Sequence, residues 1–194
     1  MKNDVHMEAP PVVSIVISAY NASMYIAATV NSFIRQTYRN WEMIIVNDGS
    51  TDNTSGIIHS FASEDDRIIC IEQENKGMTK ARQVGISMAR GKYLLVFDSD
   101  DIIYPQALEM LVRIMEDNTA DVVAIQFCFW YPDGKRSCSH KPDYKEINGI
   151  EYLKRALTGT AYWALWLHFV RREIFLKVDF DIGAGLLLGE DMVI

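Results

Sequence analysis

Short apolar runs alternate with segments of helical periodicity along the first half of the chain. Continuous apolar runs that are rich in β-branched or aromatic residues are typical of strands buried on both faces. Four such runs predict strands at residues 12–17, 41–46, 67–71 and 93–97. Between them, apolar residues recur every three or four positions, which predicts helices. The first of these helices spans about residues 22–36.

This alternation also predicts the topology of the sheet. Strands joined through helices by short connections form βαβ units, whose strands run parallel and whose crossovers are right-handed. Gly91, just before the fourth strand, is predicted to end the preceding helix in a left-handed conformation. The pattern therefore predicts an α/β fold, with a mostly parallel sheet flanked by helices.

The second half of the chain has a less regular pattern. A buried stripe predicts a helix after Pro105, and a further helix is predicted at 147–157. A long strand is predicted at 121–130, leading through the turn at 131–134 into a hairpin or a long loop. Residues 160–188, rich in aromatic residues, Leu and Gly, are the hardest to assign. The residues of the buried stripe are Leu108, Leu111, Val112 and Met115.

Composition and charge limit the classes of ligand that the chain is expected to bind. A chain of 194 residues with 49% hydrophobic residues fits one domain, with residues 1–11 as a flexible tail. Its net charge of −7 gives no general attraction to nucleic acid or to anionic lipid. A ligand that carries phosphate would therefore need local cations or a metal ion.

The cysteines and the apolar runs indicate the cellular compartment in which we expect the protein. Three cysteines, an odd and sparse set, favour a reducing compartment over a disulfide framework. Residues 1–11 lack the apolar core of a secretory signal, and no run approaches the roughly 20 apolar residues of a spanning helix. We expect a cytoplasmic protein; peripheral contact at the inner face of the membrane and a homodimer both stay open.

An acidic cluster follows the fourth strand, where Asp98, Asp100 and Asp101 lie within four positions. Two unit charges about 4 Å apart repel by roughly 4 kcal/mol at an effective dielectric near 20. The carboxyl edge of an α/β sheet is where such folds bind ligands, and hard oxygen donors suit Mg²⁺ or Mn²⁺. The cluster predicts a divalent cation bound together with an anionic ligand; the alternative is a solvated acidic turn.

Two other predicted strand ends lie on the same edge, at 18–21 and 47–50. Tyr20 offers an aromatic face for a nucleotide base, and Asp48 can accept a hydrogen bond from a base imide N–H. Each residue alone also fits an ordinary loop, Tyr20 as rim packing and Asp48 as a tight turn before a helix. Their coincidence with the acidic cluster favours a nucleotide ligand.

Further charged residues are weaker candidates. Lys80 and Arg82 precede the fourth strand, and a guanidinium matches a diphosphate well, although a solvated charged face is the common alternative. Asp191 follows Glu190 in a glycine-flanked segment. A carboxylate in such surroundings can have a raised pKa and act as a general base; alternatively, the pair begins a helix.

Taken in order, short motifs of this chain resemble those of the family 2 inverting glycosyltransferases. The resemblance covers residues 12–194 and implies a GT-A fold. In that fold a nucleotide-sugar half, 12–101, is fused to an acceptor half, 102–194, which we expect to be incomplete because family members continue beyond this point. The motifs are Val13–Asn21, Ser32–Tyr38, Val46–Asp52, Glu74–Gly77 with Ala81-Arg82, Phe97–Asp101, Arg171–Phe175 and Gly189–Asp191.

The resemblance also implies residue roles. Tyr20 and Asp48 would hold the base, Asp98 and Asp100 would form the DXD pair, and Asp191 would be the catalytic base. The implied cofactor is Mn²⁺ or Mg²⁺, bridging the diphosphate. The implied nucleotide-sugar residues are Ser18, Ala19, Tyr20, Asn21, Asp48, Lys80, Arg82, Asp98 and Ser99; the implied metal ligands are Asp98, Asp100 and Asp101.

The implied reaction moves a sugar from a nucleotide-sugar, usually a UDP-sugar, to a saccharide or lipid-linked acceptor hydroxyl in surface polysaccharide synthesis. Inversion in one displacement needs only one essential base. Because the chain stops at Ile194, a second hypothesis is a non-catalytic nucleotide-sugar-binding domain that acts with a partner enzyme. A nucleotidyltransferase would need a glycine-rich basic loop after the first strand, which residues 18–21 lack.

Overall fold

Strands and helices alternate in the first half of the chain, as predicted. The computed structural model describes residues 10–177 except 132, 140, 144 and 163. The four predicted strands are present, and each extends one or two residues further toward its carboxyl end, into polar sequence. The elements are β1 (Val13–Ala19), α1 (Ile26–Ile34), β2 (Trp41–Asp48), α2 (Thr54–Glu64), β3 (Ile68–Gln73), α3 (Met78–Met88), β4 (Tyr93–Asp98) and α4 (Ala107–Asp117).

The second half contains shorter elements. The predicted helix at 147–157 is confirmed, beginning two residues later. Within the described residues, no helix has both the length and the apolar character that crossing a membrane would require. The elements are β5 (Val122–Ala124), β6 (Cys128–Trp130), β7 (Arg136–Cys138), α5 (Gly149–Leu157), a 3₁₀ turn (Leu165–Leu167), β8 (His168–Arg171) and α6 (Arg172–Phe175).

Six strands form the central sheet in the order β3-β2-β1-β4-β8-β5. The four strands from β3 to β4 are parallel, whereas β8 runs antiparallel to β4 and to β5. The prediction of a mostly parallel α/β sheet is therefore confirmed. Of the two antiparallel strands at this end of the sheet, β8 comes from the segment that was hardest to assign, and β5 comes from the predicted strand at 121–130.

Helices cover both faces of the sheet, so its central strands are buried on both sides. One face packs against α1, α2 and α4, and the other packs against α3 and α6. The predicted stripe of α4 is confirmed, because it matches the buried residues of that helix. On β1, Ile15 and Ile17 belong to the first face and Val16 to the second, all fully buried, which explains the continuous apolar run.

Two expectations about the second half are wrong. The predicted strand at 121–130 is divided between two sheets, because the Ile125 amide donates to the Leu167 carbonyl whereas Phe127 pairs with Ser139. β6 and β7 then form a separate hairpin, closed by the predicted turn. Cys128 and Cys138 lie opposite each other in that hairpin and form a disulfide, contrary to the expectation of unpaired cysteines.

Gly91 is needed for a close approach rather than for the predicted left-handed conformation. Its φ is outside the positive range, but a Cβ there would lie 2.6 Å from the Ser14 backbone nitrogen and 2.7 Å from the Ser14 hydroxyl. The Gly91 amide instead donates to Ser14 Oγ at 2.8 Å. This contact joins the segment just before β4 to the start of β1.

Replacing Gly91 by Ala is expected to lower the free energy of unfolding by about 1–3 kcal/mol, because the added methyl group overlaps backbone atoms. Urea unfolding would measure the change. Gly149→Ala is the matched control: nothing lies within 4 Å of its Cβ position, and alanine favours the helix that begins there. Equal stability of Gly91→Ala and the parent chain would contradict this account.

Candidate active site

The carboxyl ends of β1, β2 and β4 lie side by side. Ser18 of β1 is paired with Val46 of β2 and with Asp98 of β4, and Ala19 is paired with Asn47. Neighbouring strands in a sheet are about 4.8 Å apart. The register therefore brings Ser18, Asp98 and the end of β2 to one edge, as the strand pattern predicts.

Asn21 joins the first two loops at this edge. Its backbone has a φ of +50°, a conformation that Asn tolerates better than most residues. Its side-chain oxygen accepts from the Thr51 amide at 2.8 Å, and its own amide donates to Ser50 Oγ at 3.0 Å. Tyr20, one position earlier, is 52% exposed, so its ring is available for stacking. Binding of a base by these residues stays a prediction.

Asp48 is buried beneath the loop between β3 and α3. Its Oδ1 accepts from Gln73 Nε2 at 2.6 Å and from the Lys76 amide at 2.8 Å. Its Oδ2 accepts from the Gly77 amide at 2.9 Å, and the residue is 3% exposed. Asp48 therefore holds this loop in place, a task that the sequence did not indicate, and its contact with a base stays a prediction.

A buried arginine neutralises the first carboxylate of the acidic cluster. Arg82 Nη2 lies 3.0 Å from Asp98 Oδ1, and the Arg82 side chain is 5% exposed. The guanidinium thus offsets part of the repulsion among the three aspartates. The sequence predicted a diphosphate contact for Arg82, which stays a prediction; the structure pairs its guanidinium with Asp98. Lys80 is half-buried on the first turn of α3.

The other two carboxylates differ in environment. Asp100 is exposed, whereas Asp101 is half-buried. Burial, together with the charges of Asp98 and Asp100, raises the pKa of Asp101 to about 6. The raised pKa of Asp101 shows that negative charge from the neighbouring aspartates acts on this carboxyl group. Three carboxylates in this state fit a divalent cation such as Mn²⁺ or Mg²⁺, which would favour their ionised forms.

The sequence of residues 14–178 matches the protein family described as Glycosyl transferase family 2. The chain belongs to glycosyl transferase family 2. Its sequence is 32% identical over 181 residues to "Glycosyltransferase GlyG" of Streptococcus pneumoniae, covering 88% of this chain and 60% of that protein. The chain thus spans less than two thirds of the length of this relative.

Solved structures share the fold of this chain. Staphylococcus aureus TarS 1-349 in complex with UDP aligns with a TM-score of 0.70 and 20% identity, over 92% of this chain and 52% of that one. The mannosyltransferase PcManGT from Pyrobaculum calidifontis, in complex with GDP-Man and Mn²⁺, aligns with a TM-score of 0.62 and 19% identity, over 91% and 50%. The predicted GT-A fold is therefore confirmed.

In this family 2 chain, polar side chains of α1 and of the residues just after it hold the acidic loop, a task that the sequence analysis did not assign to them. Thr29 Oγ1 donates to the Ser99 carbonyl at 2.9 Å, and the Ile103 amide donates to Ser32 Oγ. Gln36, fully buried, donates to the Tyr104 carbonyl at 2.8 Å. The sequence shows them as three polar residues spaced three and four positions apart, which fits the predicted helix at 22–36, although α1 ends at Ile34 and Gln36 lies just beyond it.

The predicted catalytic base, Asp191, lies outside the described residues, as does Glu190. The predicted flexible tail, 1–11, lies outside them except for Pro10 and Pro11. The roles assigned to these residues stay predictions.

The pKa of Asp101 leads to a test of the cluster without metal. An unfolded Asp has a pKa near 3.9, so the folded chain binds this proton more tightly, and its stability falls as pH rises from about 4 to about 6. Asp101→Asn, measured by thermal unfolding with a chelator present, is expected to be more stable than the parent chain at neutral pH. The two should be equally stable below about pH 4; a difference independent of pH would contradict the assignment.

The Arg82–Asp98 pair leads to a second test. Arg82→Met leaves the Asp98 carboxylate without this guanidinium and close to the carboxylates of Asp100 and Asp101. We expect the free energy of unfolding to fall by about 2–3 kcal/mol, which is less than the cost of breaking a fully buried pair. In a double-mutant cycle, Asp98→Asn should recover about 1–2 kcal/mol of this loss. Lys92→Met, which breaks a half-exposed pair with Glu116, is the control and should cost under about 1 kcal/mol. Additive effects of the two site substitutions would contradict the pairing.

Proposed function

We propose that this chain is the donor-binding part of an inverting glycosyltransferase that uses a UDP-sugar. Its acceptor would be a saccharide or a lipid-linked saccharide hydroxyl in surface polysaccharide synthesis. The observation that carries the proposal is the acidic cluster at the carboxyl edge of the sheet, which begins at Asp98 beside the ends of β1 and β2, where Tyr20 and Asp48 lie. Support comes from the family match and from the UDP complex of the similarly folded TarS.

The described residues suit the binding of a nucleoside diphosphate. Tyr20 would stack on the base, and Asp48 and Arg82 would preserve the shape of the site by holding the loop after β3 and the first aspartate. A metal ion held by Asp98, Asp100 and Asp101 would offset the charge on the diphosphate leaving group. The Mn²⁺ in the PcManGT complex is consistent with this donor set.

The proposed reaction is a single displacement. Asp191 takes the proton of the acceptor hydroxyl, and the hydroxyl oxygen forms a bond to the anomeric carbon of the sugar. The bond from that carbon to the diphosphate breaks on the opposite face, so the configuration inverts and UDP leaves with the electron pair. One carboxylate base is enough for this reaction.

A second candidate is a nucleotide-sugar-binding domain that requires a partner enzyme. The observation that favours it is the 60% coverage of the pneumococcal relative, because acceptor-side groups of the whole protein can lie outside the aligned region.

Turnover separates the two candidates. The chain would be mixed with Mn²⁺, a panel of UDP-sugars that includes UDP-GlcNAc, and saccharide acceptors, and UDP release would be followed by a coupled assay. Release that depends on the acceptor and gives a product of inverted configuration supports the transferase. UDP binding by calorimetry without release supports the binding domain, and absence of UDP binding contradicts both.

A further inference from the structure

A second group of metal-ligating side chains lies away from the acidic cluster, at the outer edge of the sheet. Cys70 and Glu72 are two positions apart on the edge strand β3, so their side chains emerge on the same face. Helix α2 packs on that face and carries His59. The structure therefore places three different donor types close together: an imidazole nitrogen, a thiol sulfur and a carboxylate oxygen.

The spacing of these donor atoms matches one face of a tetrahedral metal site. His59 Nε2 lies 3.2 Å from Glu72 Oε1 and 3.8 Å from Cys70 Sγ, and Cys70 Sγ lies 3.5 Å from Glu72 Oε1. Zn²⁺ bonds of about 2.0–2.3 Å at tetrahedral angles place ligand atoms roughly 3.3–3.6 Å apart. The three atoms are thus already near the separations that a bound ion requires.

The surroundings of Glu72 resemble the outer shell of a metal site. Asn47 Nδ2 donates to Oε2 and Ser55 Oγ donates to Oε1, each at 2.7 Å. Asn47 is 2% exposed and belongs to the neighbouring strand β2, so it restricts the rotation of the carboxylate. Such hydrogen bonds orient ligands and raise metal affinity. The side chains of His59 and Glu72 are 57% and 43% exposed, which leaves room for an ion to enter and for water as a fourth ligand.

We propose that His59, Cys70 and Glu72 bind a transition-metal ion, with Zn²⁺ as the best fit and water in the fourth position. A thiolate and an imidazole select zinc-like ions, whereas the all-carboxylate cluster near β4 suits Mg²⁺ or Mn²⁺. The two sites therefore take different classes of metal. The alternative is a trio held together only by hydrogen bonds, with a thiol and a histidine around one carboxylate.

Metal binding at this site must displace a proton. Cys70 Sγ donates to Glu72 Oε1 at 3.5 Å, so the thiol carries its proton in the metal-free chain. Ligation requires the thiolate, and the apparent affinity should therefore increase with pH.

Cobalt provides a direct test, because a bond between Co²⁺ and a thiolate gives a near-ultraviolet charge-transfer band that carboxylate ligands do not give. The chain, freed of metal by a chelator and supplied with excess Mg²⁺ to occupy the acidic cluster, would be titrated with Co²⁺ at slightly alkaline pH. We expect the band to appear, to saturate near one equivalent and to disappear when Zn²⁺ is added.

Variants assign the band to this site. Cys70→Ala should abolish the band. His59 lies on an exposed helix surface, so the fold should tolerate His59→Gln. This variant should bind Co²⁺ at least about tenfold more weakly, because the loss of an outer-shell partner alone costs at least that much affinity. Cys128→Ser with Cys138→Ser is the control for thiol substitution and should keep the band. No band, a band that persists in Cys70→Ala, or an unchanged affinity in His59→Gln would overturn the proposal in favour of the hydrogen-bonded trio.

Discussion

Replacing Asp100 by Ala is expected to abolish the metal-dependent part of UDP binding. Asp100 is the exposed member of the acidic cluster, between Asp98, which is paired with Arg82, and the half-buried Asp101. Mg²⁺ and similar ions are commonly held by only one or two carboxylates together with the phosphates of the substrate. Loss of one carboxylate should therefore lower UDP affinity in the presence of metal by about 100-fold or more, since outer-shell changes alone cost 10–100-fold.

Calorimetry of UDP with and without Mn²⁺ would measure this effect. Asp117→Ala removes an exposed carboxylate at the end of α4 and serves as the matched control, with metal-dependent binding unchanged. Urea unfolding should show similar stability for both variants, since both positions are exposed. If Asp100→Ala keeps the metal-dependent gain in affinity, the metal site does not include this residue and the proposed donor site loses its central argument.

Replacing Asp191 by Asn is expected to reduce acceptor-dependent UDP release by about 10²–10⁴-fold, the usual contribution of a general base. The amide keeps the size of the side chain but cannot accept the hydroxyl proton. UDP affinity should stay within about twofold, because Asp191 is proposed to act on the acceptor and the donor residues lie on other segments. The effect therefore belongs to turnover rather than to donor binding.

The measurement is steady-state UDP release with a saturating donor, paired with UDP calorimetry. Glu190→Gln is the control for charge at the same place in the sequence and should leave turnover within about tenfold. If the two variants lose activity equally, the assignment of the base to Asp191 is wrong. If Asp191→Asn loses UDP binding as well, the residue belongs to the donor site.

The pattern of apolar residues was enough to predict most of the individual elements. The stripe of α4 and the four parallel strands were predicted because both depend on local periodicity and on burial of the whole strand. The division of 121–130 was not predicted, since a continuous β-rich segment does not show that its hydrogen-bonding partner changes near residue 126. The disulfide was missed because pairing of Cys128 with Cys138 depends on the register of a hairpin.

The acidic cluster was predicted as a metal site from its charge density, and the structure pairs its first member, Asp98, with Ser18 of β1, next to the end of β2. The contacts that shape the site were not predicted. Asp98 and Arg82 are 16 residues apart, Asp48 and Gly77 are 29 apart, and Thr29 and Ser99 are 70 apart. Such pairs leave no periodic signal, because each contact depends on how two elements pack together.

The sequence by itself determined the alternation of strands and helices, the family and the presence of a carboxylate cluster after β4. These properties follow from side-chain chemistry and from spacing over a few residues. Only the tertiary structure decided that Arg82 neutralises Asp98, that Asp48 holds the loop after β3, and that His59 meets Cys70 and Glu72. Strand register and helix packing place these groups within hydrogen-bonding distance, and both are set by the burial of the whole core rather than by any one segment.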